Sequence, residues 1–119
     1  MASPERDALI KQYKDGYREV AGAMRGISEQ ELDFRRASGK WSAREIVHHL
    51  ADSETTSAIR LRKLLVEFSP YIQAYDQDEF ARKLQYSRRA VEPALKALEA
   101  AIETTGQILD LMTDDDWKR

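Results

Sequence analysis

The 119-residue sequence contains no cysteine, so its own side chains cannot provide any chemistry that depends on thiols. Disulfides, thiolate zinc sites and a cysteine nucleophile all require that residue. The sequence also opens without a signal-peptide pattern, so we expect a reducing, cytoplasmic location. No apolar run approaches the roughly 20 residues that cross a bilayer, so we expect no membrane partner.

Neither sign of charge dominates the sequence. Nineteen lysines and arginines are interspersed with 21 aspartates and glutamates, which gives a formal net charge of -2. Affinity for a nucleic-acid backbone comes mainly from concentrated positive charge, so the sequence argues against a nucleic-acid partner. It also contains no glycine-rich phosphate loop, Gly-x-Ser-x-Gly elbow or His-Glu-x-x-His zinc motif.

No alternating strand pattern occurs, and apolar residues instead recur at every third or fourth position, as in helices. The Ser-x-x-Glu pattern of a capping box occurs at Ser28 and again at Ser42. The predicted segments are one continuous helix over residues 4–26, a short turn after residue 28, a long helix over 42–68, a short helix over 76–84 and a third long helix over 89–112. Pro93 is tolerated only in the first turn of that last helix.

Three long helices joined by substantial connections predict a single all-α domain over residues 1–119, an up-and-down four-helix bundle that lacks its last helix. Thr113 and Asp116 have the spacing of an N-terminal helix cap, which predicts the start of a further helix. Trp117 would be the first apolar residue of that helix. We therefore expect a C-terminal truncation and an apolar groove where the last helix would pack. Self-association, most simply as a homodimer, would cover that groove.

Both histidines of the chain lie in the second long helix. On a helical wheel, the predicted centre of its apolar face consists of Ile46, Leu50, Leu61 and Leu64. His49 falls at the edge of this face and His48 nearly opposite its centre. His49 is thus the inward-facing candidate ligand for a metal such as zinc, nickel, iron or copper. A lone helical histidine is also typical of a packed, hydrogen-bonded structural residue.

Two acidic residues near His49 are candidates for catalytic roles. Glu54 falls near the middle of the predicted apolar face, where a carboxylate is costly unless it is paired, and Arg60 or Arg62 is the expected partner. Glu54 is then either a group that orients a ligand or acts as a general base, or half of a structural ion pair. Asp52 is either a further ligand, an orienter of the imidazole or a solvated acid.

Three tyrosines, Tyr71, Tyr75 and Tyr86, lie near predicted helix ends. Such residues either line the mouth of a pocket or cover the end of a core with an amphipathic ring. The sequence leaves both roles open.

Several blocks of the sequence together resemble the DinB/YfiT-like superfamily, and most closely its YfiT branch of metal-dependent hydrolases. The blocks are residues 39–42, 45–53, 59–60, 70 and 75–76. The most specific of them is His-His-Leu-Ala-Asp-Ser at residues 48–53. The resemblance extends from the first helix to the end of the chain, and it implies a four-helix bundle that usually forms a homodimer.

The resemblance also implies a divalent metal, nickel or zinc, held by three histidines. One comes from the second helix and two from a His-x-x-x-His pair on the last helix. The family ligand directly precedes a leucine and corresponds to His49, so His48 becomes a neighbour that does not bind. The implied activities are hydrolysis or thiol-S-transfer, in which the metal activates water or a low-molecular-weight thiol such as bacillithiol.

The sequence departs from the family pattern because no histidine follows His49. The His-x-x-x-His pair is therefore missing, and we expect the metal to be absent or weakly bound and the chain to be inactive. A rival hypothesis from a different functional class is a non-enzymatic helical dimerisation module that has lost the metal site.

Overall fold

Helices are the only regular elements in the described part of the chain, which is residues 3–71 and 73–119 of a computed structural model. The six α-helices are α1 (Pro4–Lys14), α2 (Gly16–Met24), α3 (Glu29–Asp33), α4 (Ala43–Val66), α5 (Gln77–Lys83) and α6 (Glu92–Leu111). Two short 3-10 turns cover Tyr86–Arg88 and Asp116–Lys118. The all-α prediction is confirmed. None of the described helices has the length and apolar character that a membrane crossing requires.

The first predicted helix is interrupted, so the prediction of one continuous segment is wrong at Asp15. This residue has a ψ angle of -8°, well away from the roughly -42° of an α-helix, and its N–H still donates to the Lys11 carbonyl at 3.0 Å. Aspartate followed by Gly16 is a pair of poor helix formers, so the break falls where helix propensity is lowest.

The predicted caps are confirmed by reciprocal hydrogen bonds. Ser42 Oγ accepts the Glu45 N–H at 3.2 Å, while Glu45 Oε1 accepts the Ser42 N–H at 3.0 Å, and α3 begins with the same capping box. Thr113 and Asp116 form an equivalent pair at 2.9 and 3.2 Å ahead of the last 3-10 turn. These caps satisfy backbone N–H groups that a helix start leaves unpaired.

Helix α4 makes its most extensive contact with α6, and this contact buries a different face of α4 from the predicted one. The buried residues of α4 are Arg44, Glu45, Val47, His48, Ala51 and Ala58. Their centre lies about 130° around the helix from the predicted centre, where Ile46 remains 44% exposed. Small residues such as Ala51 and Ala58 allow α6 to approach closely, and a wheel weighted by hydrophobicity undervalues them.

The buried core is small and lies along the α4–α6 contact. Its members are Leu32, Val47, Ala51, Val91, Ala94, Leu98 and Ile102, and partly buried residues of α1 and α2, including Tyr13, Tyr17 and Val20, pack against them. The radius of gyration is 16.3 Å, compared with about 13.5 Å for a compact domain of this length. The fold is therefore elongated, and one side of α4 remains partly uncovered.

We expect Leu98→Ala to lower the free energy of unfolding by about 2–5 kcal/mol, because removing a buried leucine leaves a cavity. Leu98 is 4% exposed, whereas Leu111 on the same helix is 82% exposed. The matched control Leu111→Ala should change stability by less than about 0.5 kcal/mol. Urea denaturation followed by circular dichroism measures both variants, and equal losses would contradict this core.

Candidate functional site

His49 occupies the second turn of α4, at a position set by the cap at Ser42. The Trp41 ring, just before that cap, meets the His49 ring edge-on with 5.1 Å between centroids and 76° between planes. His49 Nδ1 is buried and has no hydrogen-bond partner among the described residues. An unsatisfied buried nitrogen costs about 1–3 kcal/mol, so this atom is open to a hydrogen-bonding partner or to a metal ion.

His48 does not lie opposite the packed face of α4, and that prediction is wrong. Its side chain is buried, its Nε2 lies 2.9 Å from the Arg89 carbonyl oxygen, and its ring stacks on Tyr86 at a centroid distance of 5.6 Å. Because a carbonyl only accepts hydrogen bonds, we assign the proton to Nε2. The ring of His48 is therefore held by Tyr86 and the Arg89 carbonyl, and its status as a non-ligand stays a prediction.

Asp52 is connected to the surroundings of His49 through Tyr86. The Tyr86 hydroxyl, on a fully buried ring, donates a hydrogen bond to Asp52 Oδ2. Trp41 packs edge-on against Tyr86 as well, at a centroid distance of 6.4 Å. Burial raises the pKa of Tyr86 above its ordinary value, and the hydrogen bond to Asp52 raises it further. Asp52 is thus hydrogen-bonded to a ring of the aromatic cluster beside His49 and is not a freely solvated acid, while its roles as a ligand or as an orienter of the imidazole stay predictions.

Glu54 pairs with Tyr13 of α1, so the expected pairing with an arginine is wrong. The Tyr13 hydroxyl donates to Glu54 Oε1, and burial followed by this hydrogen bond raises the pKa of Tyr13. Arg62 instead donates to the Thr105 hydroxyl at 3.1 Å. A separation of five residues places Glu54 and His49 about 140° apart around α4, so the structure does not bring these two predicted site residues together.

The described residues provide one candidate metal donor and no complete site. Within residues 3–71 and 73–119, no group of three or more histidine, aspartate or glutamate side chains is arranged to hold a metal ion. Structural and catalytic zinc sites use three or four protein ligands. His49 fits the role of one ligand because its buried Nδ1 lacks a partner, and further donors would have to come from elsewhere.

A cavity of about 550 Å³ lies beside α4, between that helix, α5 and the segment that joins them. Tyr71 and Tyr75 line this cavity, which agrees with one of the two roles left open for them, whereas Tyr86 is buried. Sequence reasoning did not identify Arg60 and Lys63 as residues of this site. The sequence feature that could have identified them is their spacing. Arg60 and Lys63 follow His49 by 11 and 14 residues, which places all three on the same side of α4.

Comparison with known families identifies the group to which this bundle belongs. The sequence profile of the DinB superfamily matches residues 12–119. The chain belongs to the DinB superfamily. YfiT from Bacillus subtilis, described as "a probable metal-dependent hydrolase with an unusual four-helix bundle topology", superposes with a TM-score of 0.91 at 28% sequence identity. The match covers all of this chain and 69% of YfiT, and it confirms the predicted bundle class.

Two sequence relatives carry a name that begins "Putative metal-dependent hydrolase". The protein from Geobacillus thermodenitrificans is 28% identical over 114 residues, and that from Oceanobacillus iheyensis is 30% identical over 110 residues. Each alignment covers 92% of this chain but only 64% and 63% of the respective relative. The chain thus spans less than two thirds of the length of these relatives, while the predicted family resemblance is confirmed.

We expect Tyr13 and Tyr86 to ionise only as the protein unfolds at high pH. Both pKa values are raised above the ordinary 10.0, so the stability that these groups contribute is complete below pH 10 and is lost as the pH rises. Ultraviolet absorbance of tyrosinate and circular dichroism, followed together, measure this. Tyr86→Phe should remove one late-ionising group, whereas the exposed control Tyr71→Phe should remove none. Ionisation of all tyrosines before any unfolding would contradict these two hydrogen bonds.

Proposed function

We propose that this chain provides one ligand, His49, to the site of a metal-dependent hydrolase or thiol-S-transferase of the DinB type. The single observation that supports the proposal most strongly is the buried, unpartnered Nδ1 of His49 on a rigid helix. The names of the relatives and of YfiT support a divalent metal, and we propose nickel or zinc. The proposal includes a cytoplasmic location, where low-molecular-weight thiols remain reduced.

The residues around His49 hold the imidazole in place. Trp41 restricts the ring from one side, and Tyr86 positions Trp41 while its hydroxyl is held by Asp52. We therefore propose Asp52 as a positioning residue. Glu54 is hydrogen-bonded to Tyr13 on another side of α4, which favours a structural role for it. A bound divalent metal would lower the pKa of water or of a thiol and so supply the nucleophile.

We further propose that these 119 residues alone bind metal weakly and lack both activities. They contain two histidines, and the Nε2 of His48 is already engaged by the Arg89 carbonyl. Stable binding needs further donors, and the relatives contain an additional third of chain that is not represented here.

Nickel added to the chain should broaden the ring resonances of His49 selectively in an NMR titration. His48 is the internal control because it is buried and its Nε2 is hydrogen-bonded. In the unmodified chain, calorimetry should show nickel binding that is too weak to saturate the protein at equal concentrations of the two. His49→Ala should abolish this binding. Selective broadening of His48, or unchanged nickel binding by His49→Ala, would contradict the assignment of the ligand.

A chimera decides whether this ligand supports activity. It joins the 119 residues to the part of YfiT outside the aligned region, in the order of the YfiT chain. We expect the chimera to bind one nickel or zinc ion and to hydrolyse an activated ester or transfer a small thiol to an electrophile. His49→Ala in the chimera should remove both properties, while Leu111→Ala should retain them. Full metal content in the His49→Ala chimera would contradict the proposal.

A second candidate function, a non-enzymatic dimerisation module, is supported by the apolar side chains left uncovered on α4 and beyond its C-terminal end. Among them, Ile59, Val66 and Phe68 are 55%, 84% and 99% exposed. Large exposed apolar surfaces are typical of protein interfaces. We propose a homodimer formed through this surface.

Sedimentation equilibrium tests the dimer directly. We expect a dimer whose dissociation constant rises at least about tenfold in the double variant Val66→Ser, Phe68→Ser, because each substitution removes roughly 1.5–3 kcal/mol of apolar burial. Leu9→Ser is the control, since Leu9 is similarly apolar and 65% exposed but belongs to a different helix, α1. A stable monomer, or equal weakening by Leu9→Ser, would contradict the homodimer.

A further inference from the structure

The cavity beside α4 combines positive charge with aromatic surface. Arg60 and Lys63 come from α4, Tyr71 and Tyr75 from the segment after it, and Phe80 from α5. The volume of about 550 Å³ lies within the range of small-molecule sites. Apolar walls with a few convergent polar groups are the usual composition of such sites.

The two cations in this cavity have no carboxylate partners in the described part of the chain. Arg60 Nη2 donates to the Gln73 carbonyl at 2.6 Å, and its Nε is buried without a hydrogen-bond partner. The one acidic residue in the lining, Asp76, is already engaged because its Oδ1 accepts the N–H groups of Asp78 and Glu79, each at 3.1 Å. Two cations against the one carboxylate of Asp76 leave the lining with an excess of positive charge.

The aromatic rings provide a flat apolar wall beside this charge. The Arg60 guanidinium carbon lies 5.9 Å from the centroid of Tyr75, and the Tyr75 ring packs on Phe80 at a centroid distance of 4.6 Å. The contact with Tyr75 holds the guanidinium in one orientation and lowers the cost of ordering it for a ligand. Tyr71 is 72% exposed and borders the cavity, so its ring is free to contact a bound molecule.

We propose that this cavity binds a small organic anion, with its carboxylate or phosphate group at Arg60 and Lys63 and a flat apolar body against Tyr71, Tyr75 and Phe80. The guanidinium group of Arg60 provides directed donors to an anionic oxygen, and Lys63 adds a second charge. Neither contact requires a metal ion.

The cavity lies on the same side of α4 as His49. Arg60 is about three helical turns beyond His49, a distance of roughly 16 Å along the helix axis. This separation makes the anion site distinct from the imidazole. Anion binding is measured without metal and with His49 intact. A failure of the anion proposal can therefore be distinguished from a failure of the metal proposal.

Calorimetric titration of the metal-free chain with three probes tests the proposal. Phenyl phosphate and benzoate represent the two anionic groups, and benzyl alcohol is the uncharged control of similar shape. We expect at least one anion to bind about tenfold or more tightly than benzyl alcohol, and binding to weaken with added salt. Binding of both anions no tighter than benzyl alcohol would overturn the proposal.

Two substitutions locate the anionic group. Lys63→Gln and Arg60→Gln should each weaken anion binding, by roughly three- and tenfold respectively. Arg60→Gln also removes the hydrogen bond from Arg60 to the Gln73 carbonyl, which could disturb the segment between α4 and α5. Lys63→Gln leaves that hydrogen bond intact, so it tests the site independently. The matched control Lys96→Gln removes the same charge from an exposed position on α6 and should leave binding unchanged. Equal effects of Lys63→Gln and Lys96→Gln would overturn the assignment to this cavity.

A third substitution tests the apolar part of the site. Phenyl phosphate should bind more tightly than inorganic phosphate in the unmodified chain, and Tyr71→Ser should reduce that difference. Inorganic phosphate binding as tightly as phenyl phosphate would show a site for the anionic group alone and would overturn the proposed ligand class.

Discussion

The contact between α4 and α6 determines how the rest of the molecule is arranged. Val47 and Ala51 of α4 pack with Ala94 and Leu98 of α6, and the small side chains allow the two helices to approach closely. This contact sets the rotation of α4 about its axis. Every other side chain of α4 takes its direction from that rotation, since an α-helix advances by about 100° per residue.

The consequence for the histidines is a division of roles between neighbours. His48 turns into the packed side, where Tyr86 and the Arg89 carbonyl satisfy its ring. His49 turns away from that side and packs against Trp41, and its buried Nδ1 has no hydrogen-bond partner among the described residues. The same rotation directs Arg60 towards the cavity that faces α5. Structural and chemical functions are thus distributed around one helix.

Much of the fold could be predicted from local patterns. The capping boxes at Ser28 and Ser42 mark helix starts because the hydrogen bonds involved join residues three apart in sequence. The family resemblance also identified the bundle, because residues 48–53 form a specific block. The break at Asp15 was missed since apolar periodicity continues across it, although the local Asp-Gly pair disfavours a helix.

The candidate site could be predicted only in part, because its partners come from distant parts of the chain. The sequence by itself determined the helical segments, apart from the break at Asp15, and their caps. Only the tertiary structure decided that Glu54 pairs with Tyr13 and Asp52 with Tyr86, over separations of 41 and 34 residues. Those pairings depend on how helices rotate and pack, and packing depends on the shapes of both surfaces, which no single segment encodes.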